Sequence, residues 1–300
     1  MSSSFHSGEQ AVQAIVGVRA EADRLSHLLG GVIKPATQEF LQHQSWAIAS
    51  TVDASGNVWA SMLIGEPGFV EPIADQSVQI NAVPLAGDPL RETLQSGRDL
   101  GLLVIDLATR RRLRLNGIVE IQPDGRIHLH TKQVYFNCPK HIQLRHLDHQ
   151  ATSGEATSET IVSESLSPYQ QQWLAQVDTF FLASSHSDGA DASHRGGNPG
   201  FVQVVSATKL LFPDYAGNNM FNTFGNLFEN PYAGMLFIDF ERGDTLQLTG
   251  KAHILWESEH LMDFPGAQRL VAFEISQAIA TTNAIPLRWH FAEYSPYNPI

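Results

Sequence analysis

"GLLVIDLATRRRLRLNGIVEI", residues Gly101–Ile121, returns 133 positions later (234 − 101) as "GMLFIDFERGDTLQLTGKAHI", Gly234–Ile254. No gap is needed to lay one over the other, and Gly117 falls on Gly250. Upstream, "WASMLIGEPGFV" (Trp59–Val70) returns as "DASHRGGNPGFV" (Asp191–Val202), and "WAIASTVDASG" (Trp46–Gly56) as "FFLASSHSDGA" (Phe180–Ala190). Blocks in one order at nearly one spacing mean that one fold is written twice. The period is far too long for a solenoid. The copies differ in charge: the second has Arg195 where the first has Leu63, and Asn218 where the first has Asp88.

Each copy reads as β-rich. "SWAIAST" and "TFFLASS" are short apolar strands running into the turn signals Asp53–Gly56 and Ser187–Gly189. "RLRLNGIVEI" and "TLQLTGKAHI" alternate polar and apolar residues around a glycine, as a bent, half-buried strand does. Helices are few: one near Gly8–Leu29, and short ones such as Asn219–Glu229, which stops before Pro231. The expectation is a mainly β (α+β) chain of two tandem small antiparallel barrels with a few peripheral helices. Its divisions are an N-terminal helical extension (1–36), a first barrel (37–150), a Ser-, Thr- and Glu-rich linker (151–172) and a second barrel (173–300).

Composition bounds what such a chain does. It has 300 residues, 43% of them hydrophobic, and a net charge of −12, which argues against nucleic acid as the main partner. The basic run Arg110–Arg112 with Arg114 is too short to reverse that; its bland reading is a solvated hairpin or strand end. No apolar run has the roughly 20 residues that a membrane span needs, and "MSSSFHSGEQ" lacks the order of a secretion signal. The single cysteine, Cys138, excludes an internal disulfide and makes the cytoplasm the expected compartment. It reads either as a reactive thiol or as a small buried residue. No metal is expected from His128, His130, His141, His146 and His149, because no i,i+4 helical pair with a carboxylate appears among them.

The block order resembles the FMN-binding split barrel of the pyridoxamine 5'-phosphate oxidase superfamily, over about residues 37–150 and 173–290. "FPDYAGNNMFNTFGNLFENPYAGMLFIDFERGDTLQLTGKAHI" (Phe212–Ile254) and "YFNCPKHIQLR" (Tyr135–Arg145) are similar to its branch of predicted flavin-nucleotide-binding proteins. Such barrels dimerise with the flavin in the groove between them, so the resemblance implies an intrachain pseudo-dimer. It also implies FMN as cofactor, its phosphate held by Arg195 and Gly196, by Phe212 and Pro213, and by the turn Gly217, Asn218 and Asn219. The true oxidases place Arg and Lys where this chain has Asn218 and Asn219, which weakens the case for a pyridoxamine phosphate substrate.

Arg112 matches the family's ring-contacting position in the first copy, with Thr245 in the second and Asn137 and Lys140 as further cofactor candidates. His194, Arg269, Arg288 and Trp289 are the substrate-side candidates. Leu63 and Asp88 would deprive the first copy of its phosphate cradle, so one asymmetric FMN site is expected. The implied function is an FMN-dependent oxidoreductase acting on a small-molecule substrate or redox partner. The alternatives are a non-catalytic flavin carrier working with a reductase, and a related barrel holding haem or a deazaflavin. A homodimer of the whole chain is left open.

Overall fold

A computed structural model describes residues 5–148, 158–187 and 189–299. The first barrel is built from β1 (Trp46–Val52), β2 (Val58–Ile64), β3 (Val70–Ala74), β4 (Ser77–Ile80), β5 (Asp99–Asp106), β6 (Arg111–Ile121) and β7 (Ile127–Asn137). After β8 (Leu144–Leu147) and β9 (Thr160–Ser163) the second follows: β10 (Thr179–His186), β11 (Gly189–Gly196), β12 (Gln203–Ser206), β13 (Lys209–Tyr215), β14 (Tyr232–Ile238), β15 (Thr245–Leu255) and β16 (Ala267–Thr281). The first sheet runs β2-β1-β5-β6-β7-β4-β3 and the second β11-β10-β14-β15-β16-β13-β12, the same order strand for strand. Even the irregularities repeat, with a register shift at Asn116/Gly117 in β6 and at Thr249/Gly250 in β15. The chain is two tandem split barrels.

Both faces of the central strands are buried, and this explains their nearly unbroken apolar sequences. Side chains alternate across a strand, so Ala47 and Ala49 of β1 point into the first barrel's core while Trp46 and Ile48 point at the second barrel. On β10, Phe180 and Leu182 enter the second core, and Phe181 and Ala183 face the first barrel. The shared core includes Trp46, Met62, Phe181, Leu236 and Trp289, each at most 4% exposed. At roughly 1.5–3 kcal/mol for each fully buried large apolar side chain, this interface makes the pair one body. Gly101 and Gly234 mark its closest approach: a Cβ on Gly101 would lie 2.5 Å from Ala190 O, and one on Gly234 2.6 Å from Val58 O. The repeat therefore keeps glycine where the partner barrel's backbone crosses.

The helices are α1 (Ser7–Val16), α2 (Arg19–Leu25), α3 (Pro35–Leu41), α4 (Leu90–Thr93), α5 (Pro168–Leu174) and α6 (Asn222–Glu229). The single helix expected over Gly8–Leu29 is broken, because Gly17 takes a left-handed conformation (φ +76°) and caps α1. The helix expected from Asn219 begins three residues later, since Asn219 and Phe221 are both left-handed (φ 60° and 61°). Of the expected linker, 151–157 lies outside the described residues, as does His149. From β9 onward it is ordered, β9 pairing with β16 and α5 following. A last strand, β17 (Trp289–Glu293), pairs with β8 across the two barrels. Among the described residues no helix is long and apolar enough to cross a membrane.

Candidate functional site at the seam of the barrels

β11 carries His194 and Arg195 to the seam, and β6 of the other barrel brings Arg112 and Arg114 up to it. On β6 these two arginines are two residues apart, so both leave the same face. β13 ends at the seam with Asp214 and Tyr215, and α6 closes the wall with Asn222, Thr223 and Phe224. A cleft of about 680 Å³, counting space open to solvent, lies between them. Beside it is a chamber of about 430 Å³ that shares Arg112, Cys138, His194, Arg195, Tyr215 and Gly217 with the cleft.

The charges divide unevenly. Asp214 Oδ1 accepts from Arg195 Nη1 at 3.1 Å, and its Oδ2 lies 3.1 Å from Arg269 Nε. Phe224 stacks under the Arg195 guanidinium at 5.4 Å. Burial raises the Asp214 carboxyl above its ordinary range although both arginines pull it down. Deeper in, Arg114 Nη1 donates to Tyr135 OH at 2.8 Å and lies 3.0 Å from Asp191 Oδ1. Asp191 also accepts from Asn116 and Asn226. Arg112 stands apart, since no described carboxylate pairs with it. Its Nε donates to Cys138 O at 2.9 Å, its Nη1 lies 3.2 Å from His194 Nδ1, and its Nη2 lies 3.6 Å from Cys138 Sγ. Burial, aided by Arg112, holds His194 well below its ordinary range and therefore neutral. With Nδ1 accepting from Arg112, the proton sits on Nε2, a buried atom with no described partner. His141, on the chamber wall, is pushed down to about 4 by burial and by the nearby cations, among them Arg112 and Lys140.

The chamber is lined by Arg112, Arg195 and Lys140, and among the described residues no carboxylate lines it. Such a set of cations stabilises an anion.

The matching groove on the other side of the seam is filled. Register places Leu63 opposite Ala47 as Arg195 stands opposite Phe180, and Leu63 is fully buried in the first core. Gln247 stands where Arg114 stands, 133 residues on (247 − 114), and its Nε2 donates to Ala60 O, Ser61 Oγ and Asp88 Oδ2. Asp88 also accepts from Ser61 Oγ at 2.6 Å and Leu90 N at 2.8 Å, and burial pushes its carboxyl up to about 6. It braces the turn into α4 and bridges the barrels, beyond the phosphate-repelling charge that its alignment suggests.

Of the residues singled out in the sequence, Arg112, Asn137, His194, Arg195, Gly217, Asn218 and Asn219 line the cleft. Lys140, Gly196 and Pro213 line the chamber. Phe212 does not reach either; it is 1% exposed in the second core, edge-on to Phe180, because its place on β13 turns it inward. Arg269 stands behind Asp214, stacked on Phe221. Arg288 is turned away onto Ile285 O, Leu287 O and Asn283 Oδ1, and Trp289 is buried against Trp46 and Phe240 in the shared core. Arg112 and Arg114 are no solvated strand end, the latter being 4% exposed. Sequence reasoning passed over Asp214, adjacent to Pro213, and Arg114, whose alternation with Arg112 was the available signal. It gave no sign that α1 would lie on α6, where Glu9 accepts from Asn222 behind the cleft wall.

Several solved structures are similar over one barrel's length. A HupZ protein of Group A Streptococcus is 11% identical, covering 38% of this chain and 98% of its own, with a TM-score of 0.32. An FMN-binding protein of Syntrophomonas wolfei is 13% identical (35% and 78%, TM-score 0.27), and an FAD-binding protein of Mesorhizobium loti 13% (42% and 98%, TM-score 0.30). No curated protein is significantly similar to the chain. Residues 166–289 match the sequence model of pyridoxamine 5'-phosphate oxidase. The second barrel thus matches the pyridoxamine 5'-phosphate oxidase family model, and the first barrel repeats its strand order.

Proposed function

We propose that the chain is a flavoprotein that takes one FMN in the cleft and chamber between its barrels and uses it as an oxidoreductase on a small substrate. The observation that carries this reading is the chamber lined by Arg112, Arg195 and Lys140, with no carboxylate among its described lining residues, opening into a larger cleft walled by Tyr215, Phe221 and Phe224. A phosphate near −2 is stabilised by the first, and the aromatic and amide walls of the second suit a flat heteroaromatic ring. Flavin binding by solved relatives of the same fold, one named for FMN and one for FAD, agrees with it.

Bound FMN supplies reversible hydride or single-electron transfer. The protein does the rest. Arg195, oriented by Asp214 and Phe224, and Lys140 hold the phosphate, while Asp214 keeps Arg195 from swinging to solvent. Arg112, at the junction of cleft and chamber, supplies a permanent cation where reduction of a flavin places negative charge. Neutral His194 offers an N–H from Nε2 without adding repulsion to the arginines. Asn137 Oδ1, buried and without a described partner, offers an acceptor in the cleft.

Titrating the ligand-free protein with FMN, FAD and riboflavin tests this reading. The phosphate contact predicts that FMN binds at least tenfold tighter than riboflavin, with the difference shrinking in high salt. Equal affinity for the two would remove the phosphate from the chamber.

A further inference from the structure

His6, His186 and Glu229 come from three distant parts of the sequence, and their ligating atoms lie within 4.8 Å of one another. His6 caps α1, His186 ends β10, and Glu229 ends α6. We infer that these three residues form a site for a divalent transition-metal ion such as Zn²⁺, which clasps the N-terminal extension to the second barrel.

The geometry around His6 carries the inference. Its Nδ1 accepts the N–H of Gly8 at 3.2 Å, so its single lone pair points at the gap, and an ion there would take the place of that contact while Gly8 N kept Glu229 Oε1. The same atom lies 3.3 Å from Glu229 Oε1, which also accepts from Gly8 N and from Ser7 Oγ. Two acceptors thus share the Gly8 N–H, and a cation that replaced it between them would make two bonds. The gap has the right size. Bonds of about 2.0–2.2 Å at a tetrahedral angle set neighbouring ligand atoms roughly 3.3–3.5 Å apart.

The opposite ring nitrogen supplies a second, independent sign. His6 Nε2 is buried with no hydrogen-bond partner among the described residues, and Glu9 Oε2 lies 3.7 Å from it. Ligation through Nδ1 puts the proton on Nε2 and turns it toward that carboxylate, the arrangement that orients metal-bound histidines. His186 stacks on His6 with centroids 4.1 Å apart and 8° between the planes. Its ligating nitrogen already lies within 4.8 Å of the other two atoms and would be the third donor, with a fourth position for water. His6 and Glu229 side chains are 19% and 27% exposed, so an ion can reach them from solvent. Two imidazoles and a carboxylate select Zn²⁺, Co²⁺, Ni²⁺ or Cu²⁺ over Mg²⁺ and Ca²⁺. The bound ion would fix α1 against α6, whose first turn is the wall of the cleft.

The test uses the full chain without a histidine tag, with Zn²⁺ measured by calorimetry and Co²⁺ by its visible absorption. One ion per chain is expected, with tetrahedral Co²⁺ bands that Zn²⁺ displaces and a rise in melting temperature on adding Zn²⁺. His186→Ala leaves the α1 caps in place; with its far-UV circular dichroism unchanged it should lose at least tenfold in affinity and all of the melting shift. Glu229→Gln should weaken binding in the same direction. No binding by the native chain, or binding unaltered in His186→Ala, would overturn the site.

Discussion

Arg195 shows what one residue does in this fold. Its guanidinium is held by Asp214 on one side and Phe224 on the other, so its orientation is set before any ligand arrives. Removing it should therefore remove one charge-assisted contact without disturbing the strand beneath, where its neighbours on β10 remain paired. Arg195→Ala is expected to weaken FMN by about 1.5–3 kcal/mol, roughly 10- to 150-fold. Quenching of flavin fluorescence measures this directly, and an unchanged affinity would place the phosphate elsewhere. Arg195 was legible in the sequence because it breaks the repeat: Ala192 and Ser193 before it and Gly197 and Pro199–Val202 after it return the first copy's residues, and the cation has no counterpart. Asp214 was not legible, since nothing in "FPDY" says which of its four residues faces the seam. Phe212 and Asp214 leave the same face of β13, yet one ends in the core and the other under a guanidinium; the curvature of the closing barrel separates them, and the pattern of residues does not encode it.

Among the elements, α1 is the one whose role only the fold reveals. It lies on α6 where two glycines meet: a Cβ on Gly225 would lie 2.5 Å from Glu9 N. Glu9, 2% exposed, is thereby pressed against the wall of the cleft. Burial pushes its carboxyl up to about 7, with His6 pulling it down and Asp191 pushing it further up. The folded state thus binds a proton that the unfolded chain, with an ordinary glutamate near 4.5, has released. This contribution is fully present below about pH 4.5 and is lost as pH rises through 7. Glu9→Gln, which keeps the shape of the protonated acid, should abolish that loss. Relative to the native chain it should gain stability between pH 5 and 8, on the order of 3 kcal/mol at the upper end. Urea melts of both chains across this window measure it; parallel curves would mean that Glu9 ionises freely. Strand identities, by contrast, were readable from alternation and turn residues. Helix packing was not, because α1 and α6 are about 200 residues apart and neither carries a long apolar stripe.

On the scale of the whole molecule, the two seams have diverged. One keeps Arg112, Arg114 and Arg195 around open space; the other closes over Leu63, Gln247 and Asp88. Saturating FMN should therefore give one ligand per chain, counted by calorimetry against quantified protein. Asp88→Asn should leave the count at one, because Leu63 still occupies the place of the guanidinium and Gln247 still fills the groove. A count near two would mean that the first barrel binds through other residues. The duplication was plain in the sequence, and so was the loss of charge in the first copy. What replaced that charge, a satisfied polar bridge between the barrels, follows from contacts between residues 159 positions apart (247 − 88).

The shared core behind the cleft has one more consequence. A site divided between two separate subunits dissolves when its protein is diluted, since the halves part as a matter of mass action. Here a covalent chain and the Trp46–Phe181–Trp289 cluster hold the halves together, so the effective concentration of one wall relative to the other is a constant of the molecule. A ligand in the cleft would then answer to its own supply alone, at copy numbers where a site split between two chains would fall apart.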